Sequence, residues 1–308
     1  MRLLTPLLLA VALPVAALAG TATISASGKD KVVQPACTPA PLDEVIVTTD
    51  YGFHQNLDRD SANMEVEHNN IELDRRIPLS TPTWPNAQCG QWFLRLGADY
   101  ERFDFSIHNE TRLPDTLQSI AGIVALEYLV NGETALMVET RPGVYFEHKI
   151  NAGCFDSPVT LTFALPLHDD SVFLVAGVYV SALVSPPVFP IGGIDWRISD
   201  KWDLRAVFPE PRLVYHYSDT LDIFAGGELV GGGYKTDNRE VNPSRLSGAV
   251  VTYNESRAGA GVTWNVKPLT VELVGGYTVQ SQFYYNRAPQ TFSAHPAPYV
   301  RLTARLDF

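Results

Sequence analysis

Tyr299-Val300-Arg301-Leu302-Thr303-Ala304-Arg305-Leu306-Asp307-Phe308, the last ten residues, read as a strand with two unlike faces. Val300, Leu302, Ala304, Leu306 and Phe308 fall on one face; Arg301, Thr303, Arg305 and Asp307 fall on the other. Side chains alternate across a strand, so a period of two separates an apolar surface from a polar one. The same period runs back through the chain. Leu269, Val271, Leu273, Tyr277 and Val279 alternate with Thr270, Glu272, Thr278 and Gln280. Ala258, Ala260, Val262, Trp264 and Val266 alternate with Arg257, Gly259, Gly261, Thr263 and Asn265. Further upstream, Trp202, Leu204, Ala206 and Phe208 alternate with Asp203, Arg205 and Val207, and Trp92, Leu94 and Leu96 with Arg95 and Gly97. Turn sequences punctuate these runs, among them Asn131-Gly132, His168-Asp169-Asp170, Ser199-Asp200 and Lys267-Pro268. Asp115–Leu129 is the best helix candidate and fits a strand equally well.

Composition narrows the class. The chain has 308 residues, 45% hydrophobic and 19% charged, with a formal net charge of -11. That apolar content excludes a disordered chain, and the acidic balance argues against nucleic acid as a partner. A mean hydropathy of -0.02 argues against a bundle of transmembrane helices. Val172–Val184, the longest apolar stretch after the leader, is too short for a spanning helix. It is long enough for a tilted transmembrane strand of ~9–11 residues.

A soluble barrel also alternates, but buries its apolar face. Three features here point the apolar face outward. The opposite face mixes Gly, Thr, Asn, Arg, Asp and Glu, which suits a wet lumen. Aromatics gather near strand ends (Trp92, Tyr179, Trp196, Trp202, Tyr215, Tyr217, Trp264, Tyr285, Tyr299 among them), as interfacial girdles require. The third is the terminal aromatic strand, which resembles the signature by which the barrel-assembly machinery recognises Gram-negative outer-membrane barrels; Phe308 is the expected assembly signal.

The chain opens with Arg2, an apolar run Leu3–Leu18 and the small-x-small site Ala17-Leu18-Ala19. This reads as a signal peptide over residues 1–19, cleaved after Ala19. Residues 20–60 read as a polar leader with one short strand at Val45–Phe53, and residues 61–308 as the barrel. The expected fold is all-β, an antiparallel up-and-down transmembrane barrel of about 12 strands, range 10–14. Cys37, Cys89 and Cys154 allow a Cys89–Cys154 bridge or unpaired thiols.

Phe189-Pro190-Ile191-Gly192-Gly193-Ile194-Asp195-Trp196 is followed by Lys201-Trp202-Asp203-Leu204, Phe208-Pro209-Glu210-Pro211, Leu213-Val214-Tyr215 and Gly226-Gly227-Glu228-Leu229. This run, with Arg141-Pro142-Gly143-Val144 upstream, resembles an uncharacterised outer-membrane β-barrel family, domain-of-unknown-function family 6268. The resemblance covers approximately residues 60–308 and implies a fold and a location in the Gram-negative outer membrane; it supplies no substrate.

Catalytic signatures are lacking. No G-x-S-x-G elbow or H-E-x-x-H occurs, and the seven histidines show no ligand spacing. Gly231-Gly232-Gly233-Tyr234-Lys235-Thr236 reads as a glycine-rich strand end rather than a phosphate loop. No cofactor, metal site or enzymatic activity is expected; a barrel enzyme using His216 or His168 with Asp169 or Ser218 is the weakest alternative. The leading expectation is a channel for small hydrophilic solutes in outer-membrane lipid, with Asp203, Arg205, Glu272, Arg301 and Arg305 lining the lumen. The alternative is a non-conducting barrel whose charges pair inside, or one that presents the loops Lys235–Arg245 and Asn286–Pro296.

Overall fold

The computed structural model describes residues 43–58, 62–80, 90–130, 133–168, 171–286 and 290–308. The expected signal peptide with Ala19, most of the expected leader, Cys37 and Cys89 lie outside the described residues. Seventeen strand segments form a single sheet. They are β1 (Asp43–Asn56), β2 (Asn63–Pro78), β3 (Gly90–His108), β4 (Thr116–Val130), β5 (Glu133–Thr140), β6 (Gly143–Phe146), β7 (Phe155–Asp156), β8 (Val159–His168) and β9 (Val172–Val180). There follow β10 (Val188–Ser199), β11 (Trp202–Phe208), β12 (Arg212–His216), β13 (Leu221–Lys235), β14 (Val250–Val266), β15 (Leu269–Tyr285), β16 (Gln290–Ala294) and β17 (Ala297–Asp307).

Three pairs of segments are single strands with an interruption. β5 and β6 both lie along β4, β7 and β8 continue one another along β6 and β5, and β16 and β17 both lie along β15. Merging them turns seventeen segments into fourteen strands (17 minus 3). The sheet closes because β1 is antiparallel to both β2 and β17, with Glu44 opposite Asp307 and Gly52 opposite Tyr299. The fold is therefore an all-β antiparallel closed barrel. Its strand number sits at the top of the expected range because β11 and β12 span only 7 and 5 residues, far below the length assumed for a full strand.

One expectation is corrected. Asp43–Asn56 is a full barrel strand rather than part of a leader, because its alternation supplies the partner that β17 and β2 need. The barrel thus includes residues well upstream of Ser61. Of the two readings open for Asp115–Leu129, the structure shows the strand, with Thr116–Val130 paired residue for residue with β3.

The apolar face points outward. Val300 is 40%, Leu302 45%, Leu73 48% and Trp264 57% exposed, whereas Arg301, Glu72, Asp74 and Arg257 are buried inside. Trp196, Trp202, Tyr217 and Trp264 sit outward near one end of the barrel, where Trp202 packs on Tyr215 and Trp92 on Tyr128. Tyr179, Tyr285 and Tyr299, expected in a girdle, are instead buried inside.

The two ends differ. At the near end, where β1 starts and β17 finishes, the turns after β10, β12 and β14 are tight, Lys267-Pro268 among them, whereas eleven residues separate β2 from β3. At the far end fourteen residues, 236–249, connect β13 to β14, and the barrel narrows. β12 pairs with β13 only from Asp222 to Gly226. Beyond that, the outer neighbour of β13 is β6, through a parallel bridge between Lys235 and Phe146. The far-end ring therefore runs β1, β2, β3, β4, β6, β13, β14, β15 and β16, closed by the Leu57–Ala294 bridge. A ring this small has an interior that side chains can fill.

Glycine makes the handover possible. Every residue from Glu228 to Tyr234 is buried, so both faces of β13 are covered here. Leu183 of the β9–β10 connection packs so close that a Cβ on Gly233 would lie 2.3 Å from its carbonyl oxygen. Gly231 adopts φ +128, a backbone region that L side chains rarely enter.

Candidate functional site in the barrel lumen

The far-end lumen is filled by aromatic side chains from opposite walls. Phe103 and Phe105 project from β3, Tyr253 from β14 and Phe283 from β15; all are buried. Phe103 meets Tyr253 at 5.3 Å between ring centres, and Phe105 meets Tyr253 at 4.9 Å and Phe283 at 5.1 Å. In the nine-strand ring, β3 stands across from β14 and β15, so these contacts bridge the bore. Ring centroids at these separations are in packing contact, and water-filled space between them is closed.

The β13–β14 loop completes the seal. Leu246 and Ala249 are buried in the same cluster as the rings. Arg239 anchors the loop by donating to the Leu113 carbonyl at 3.0 Å and to Glu147 Oε1 at 3.1 Å. Within the expected loop Lys235–Arg245, Thr236 is buried and Arg239 is anchored, while Asn238, Glu240, Asn242, Ser244 and Arg245 are exposed. Asn286–Pro296 contains β16, and Phe292 and Ala294 of that strand are buried in the seal.

Beneath the rings runs a chain of charged contacts. Tyr234 Oη donates to Glu101 Oε2 at 2.9 Å, and Glu101 Oε1 lies 3.2 Å from His68 Nε2. His68 Nδ1 is 2.6 Å from Asp50 Oδ2, and its ring stacks on Phe103 at 4.2 Å. Asp50 Oδ1 accepts from Arg257 Nη2 at 2.9 Å, while Arg257 Nε donates to Glu255 at 2.5 Å. Glu228 then joins Arg301, Arg301 donates to Glu272 at 3.0 Å, and Glu272 accepts from Arg212 at 2.7 Å. Such pairs stabilise only because each charge retains partners; a buried charge left alone is costly.

One group at the far mouth brings metal-ligand atoms together: Asp115, Glu147 and His148, whose donor atoms lie within 4.8 Å of one another. They line a cleft of about 450 Å³. Burial pushes the Glu147 carboxyl above its ordinary range, against the pull of the Asp237 N–H and the Arg239 guanidinium. Arg239 already occupies the position a cation would take beside Glu147.

A model of a domain of unknown function, DUF6268, matches residues 43–304. The chain belongs to the DUF6268 family. The match begins at the first residue of β1, which agrees with placing that strand in the barrel. No curated protein matches the chain. Among solved structures it is similar to an outer membrane channel from Pseudomonas putida F1, at 8% identity, TM-score 0.42, over 91% of this chain and 100% of that one. It is also similar to the TodX monoaromatic hydrocarbon channel deltaS2 mutant, at 9% identity, TM-score 0.32, over 88% and 91%. A third is the translocator domain of the autotransporter NalP from Neisseria meningitidis, at 8% identity, TM-score 0.31, over 88% and 90%.

The DUF6268 barrel places each expected residue as follows. Arg301 and Glu272 are links in the charged chain described above. Arg305 Nε lies 2.8 Å from Glu44 Oε1, nearer the near-end opening. Asp203 Oδ2 is 2.8 Å from His216 Nε2, and Asp222 Oδ1 is 2.7 Å from His216 Nδ1. Arg205 Nε stands 3.5 Å from Asp195 Oδ2. Ser218 Oγ accepts from the Leu221 N–H within its own turn. Phe308 ends the seam, its N–H donating to the Asp43 carbonyl at 2.9 Å with the ring exposed. Cys154 is a free buried thiol.

Sequence reasoning missed Asp50, His68 and the sealing rings. Asp50 was hidden in the supposed leader. Phe103, Phe105, Tyr253 and Phe283 are apolar residues at inward positions, and that breach of the polar-inside rule near one end was the available signal.

Proposed function

We propose that the protein is a non-catalytic barrel of the Gram-negative outer membrane, held shut at its loop-bearing mouth by an aromatic seal. A closed sheet with an even strand number, an apolar outer belt and a near-end aromatic girdle support the membrane reading. The tight near-end turns after β10, β12 and β14 and the fourteen-residue β13–β14 connection at the far end support a periplasmic near end and an outward-facing seal, against the eleven-residue β2–β3 connection. Outer-membrane lipid and the barrel-assembly machinery are then its partners. Heat-modifiable gel mobility together with outer-membrane fractionation tests the location; a soluble periplasmic protein would overturn it.

The contact of Phe105 with Tyr253 and Phe283 across the bore carries the closed reading. In planar bilayers the refolded protein is expected to show no steady conductance. Steady channels from the wild-type barrel would contradict the seal. A second reading, a gated channel for small hydrophilic solutes, is favoured by the wide near-end half. There the side chains of Arg305 and Asp203 are partly open to solvent. A triple Phe105→Ala, Tyr253→Ala, Phe283→Ala variant separates the two: ion flow on removal of the rings would show that a continuous polar path lies beneath them.

A further inference from the structure

One stretch of the wall is joined without a strand ladder. The last bond between the β12 side and β13 runs from the Gly227 N–H to the Pro211 carbonyl at 2.9 Å. β6 takes over only at Lys235. From Glu228 to Tyr234, that edge of β13 has no strand partner among the described residues. An open sheet edge is untenable against lipid, which offers no hydrogen bonds. The β9–β10 connection, residues 181–187, covers it as a strap, with Leu183 against Gly233. Val180 and Val188, which border the strap, are 40% and 54% exposed in the outer apolar belt, so it lies at lipid depth. Its own exposed residues, Ala182, Pro186 and Pro187, are uncharged.

Two side chains tie the strap down. Asp156 accepts from Ser181 Oγ at 2.6 Å and from the Ala182 and Leu183 N–H groups at 3.3 Å. Thr252 Oγ1 accepts from the Ser185 N–H at 3.1 Å. One carboxylate and one hydroxyl thus stand where β13 and β14, on the other edge, are joined by fifteen consecutive residue pairs. The ground behind the strap is apolar. Val184 packs with Val175, Tyr179, Ile191 and Val207. Val175, Ile191 and Val207 occupy inward positions of β9, β10 and β11, out of phase with the exposed Leu174, Ile194 and Ala206. The polar-inside pattern is broken here as it is at the seal, but on the wall beside the gap.

We propose that the strap closes a lateral opening through which a small apolar molecule passes between the lumen and the outer leaflet, an inference that rests on the sealed outer-membrane reading above. Lifting the strap breaks a few bonds to Asp156 and Thr252 and no strand ladder. A hydrated solute would shed its water against the apolar lining at a cost. An apolar one gains by leaving water there and meets lipid on the other side.

The test compares host cells carrying the wild type, Asp156→Ala, which frees the strap from its carboxylate, or Gly233→Val, which displaces it from β13. Uptake of the apolar dye Nile red and of hydrophilic nitrocefin is measured in each. Heat-modifiable mobility confirms that each barrel has assembled, and proteinase K in detergent reports whether residues 181–187 have come free. Both variants are expected to be cut there and to take up the dye roughly tenfold faster than the wild type, the population shift that loss of one charge-assisted hydrogen bond produces. Nitrocefin uptake and planar-bilayer conductance are expected to stay at the wild-type level, because the rings still block the bore. A strap that is cut while dye uptake stays unchanged would overturn the proposal. So would a strap that stays protected in both variants, which would make it a fixed part of the wall. Equal rises in dye and nitrocefin uptake would assign the leak to the bore and overturn it too. A wild type that conducts steadily would overturn the sealed reading, and the proposal with it, by a measurement independent of the dye.

Discussion

Arg257 shows how much rests on one side chain in this lumen. Its side chain is fully excluded from solvent, lies among Asp50, Glu255 and Glu228, and covers the Tyr299 ring at 4.9 Å. Removing a buried charge while leaving its counter-charges in place costs about 3–5 kcal/mol. Arg257→Met, which keeps the apolar stem and discards the guanidinium, is therefore expected to lower the urea midpoint of the refolded barrel by an equivalent amount. A midpoint unchanged within error would mean that water reaches these carboxylates. Arg257 was legible in the sequence as a polar-face residue of an alternating strand. Its partners were not, because Asp50 is more than two hundred positions away and only the register of β1 with β17 brings the two walls together.

At the scale of the element, β13 departs most from a simple barrel strand. Its near half alternates, with Ile223 and Ala225 outward and Phe224 inward; its far half is buried on both faces. Gly231 and Gly233 permit this, the first by its φ of +128 and the second by the approach of Leu183. A Gly233→Val substitution is expected to lift the β9–β10 connection off β13, read as new protease cleavage within residues 181–187. Gly275→Ala is the matched control. Nothing lies within 4 Å of a Cβ there, so stability should hold or rise by about 0.5–1 kcal/mol. If both variants behaved alike, the close packing at Gly233 would not be what holds the connection down. The run Gly231-Gly232-Gly233 was readable as a glycine-rich strand end. Which neighbour required the glycines depended on where β12 stops, and five residues of alternating sequence do not announce that they are too short to follow β13 to its far end.

For the whole molecule, closure is the decisive property. The seam between β1 and β17 ends in reciprocal contacts between Asp43 and Phe308, at 2.9 and 3.4 Å. Deleting Phe308 removes those bonds and the exposed terminal ring. We expect the equilibrium stability to fall by only about 1–3 kcal/mol, but outer-membrane assembly to slow markedly, read as accumulation of the heat-unmodified form in pulse-labelled cells. Normal assembly kinetics would remove Phe308 from the role of assembly signal. The seal is likewise a property of the whole: no pair of adjacent strands encloses it, and it exists because the wall narrows from fourteen strands to nine.

The amino-acid order by itself determined the strand class, the outward direction of the apolar face and the family, because a period of two is a local property that each strand carries alone. It also placed Arg301, Glu272, Arg305, Asp203 and Arg205 on polar faces. Only the tertiary structure decided that the barrel includes Asp43–Asn56, that β13 changes neighbour partway along, and that rings from opposite walls meet in the bore. Each of these depends on which strands stand across from one another, and that follows from closure and strand length together, not from any one segment.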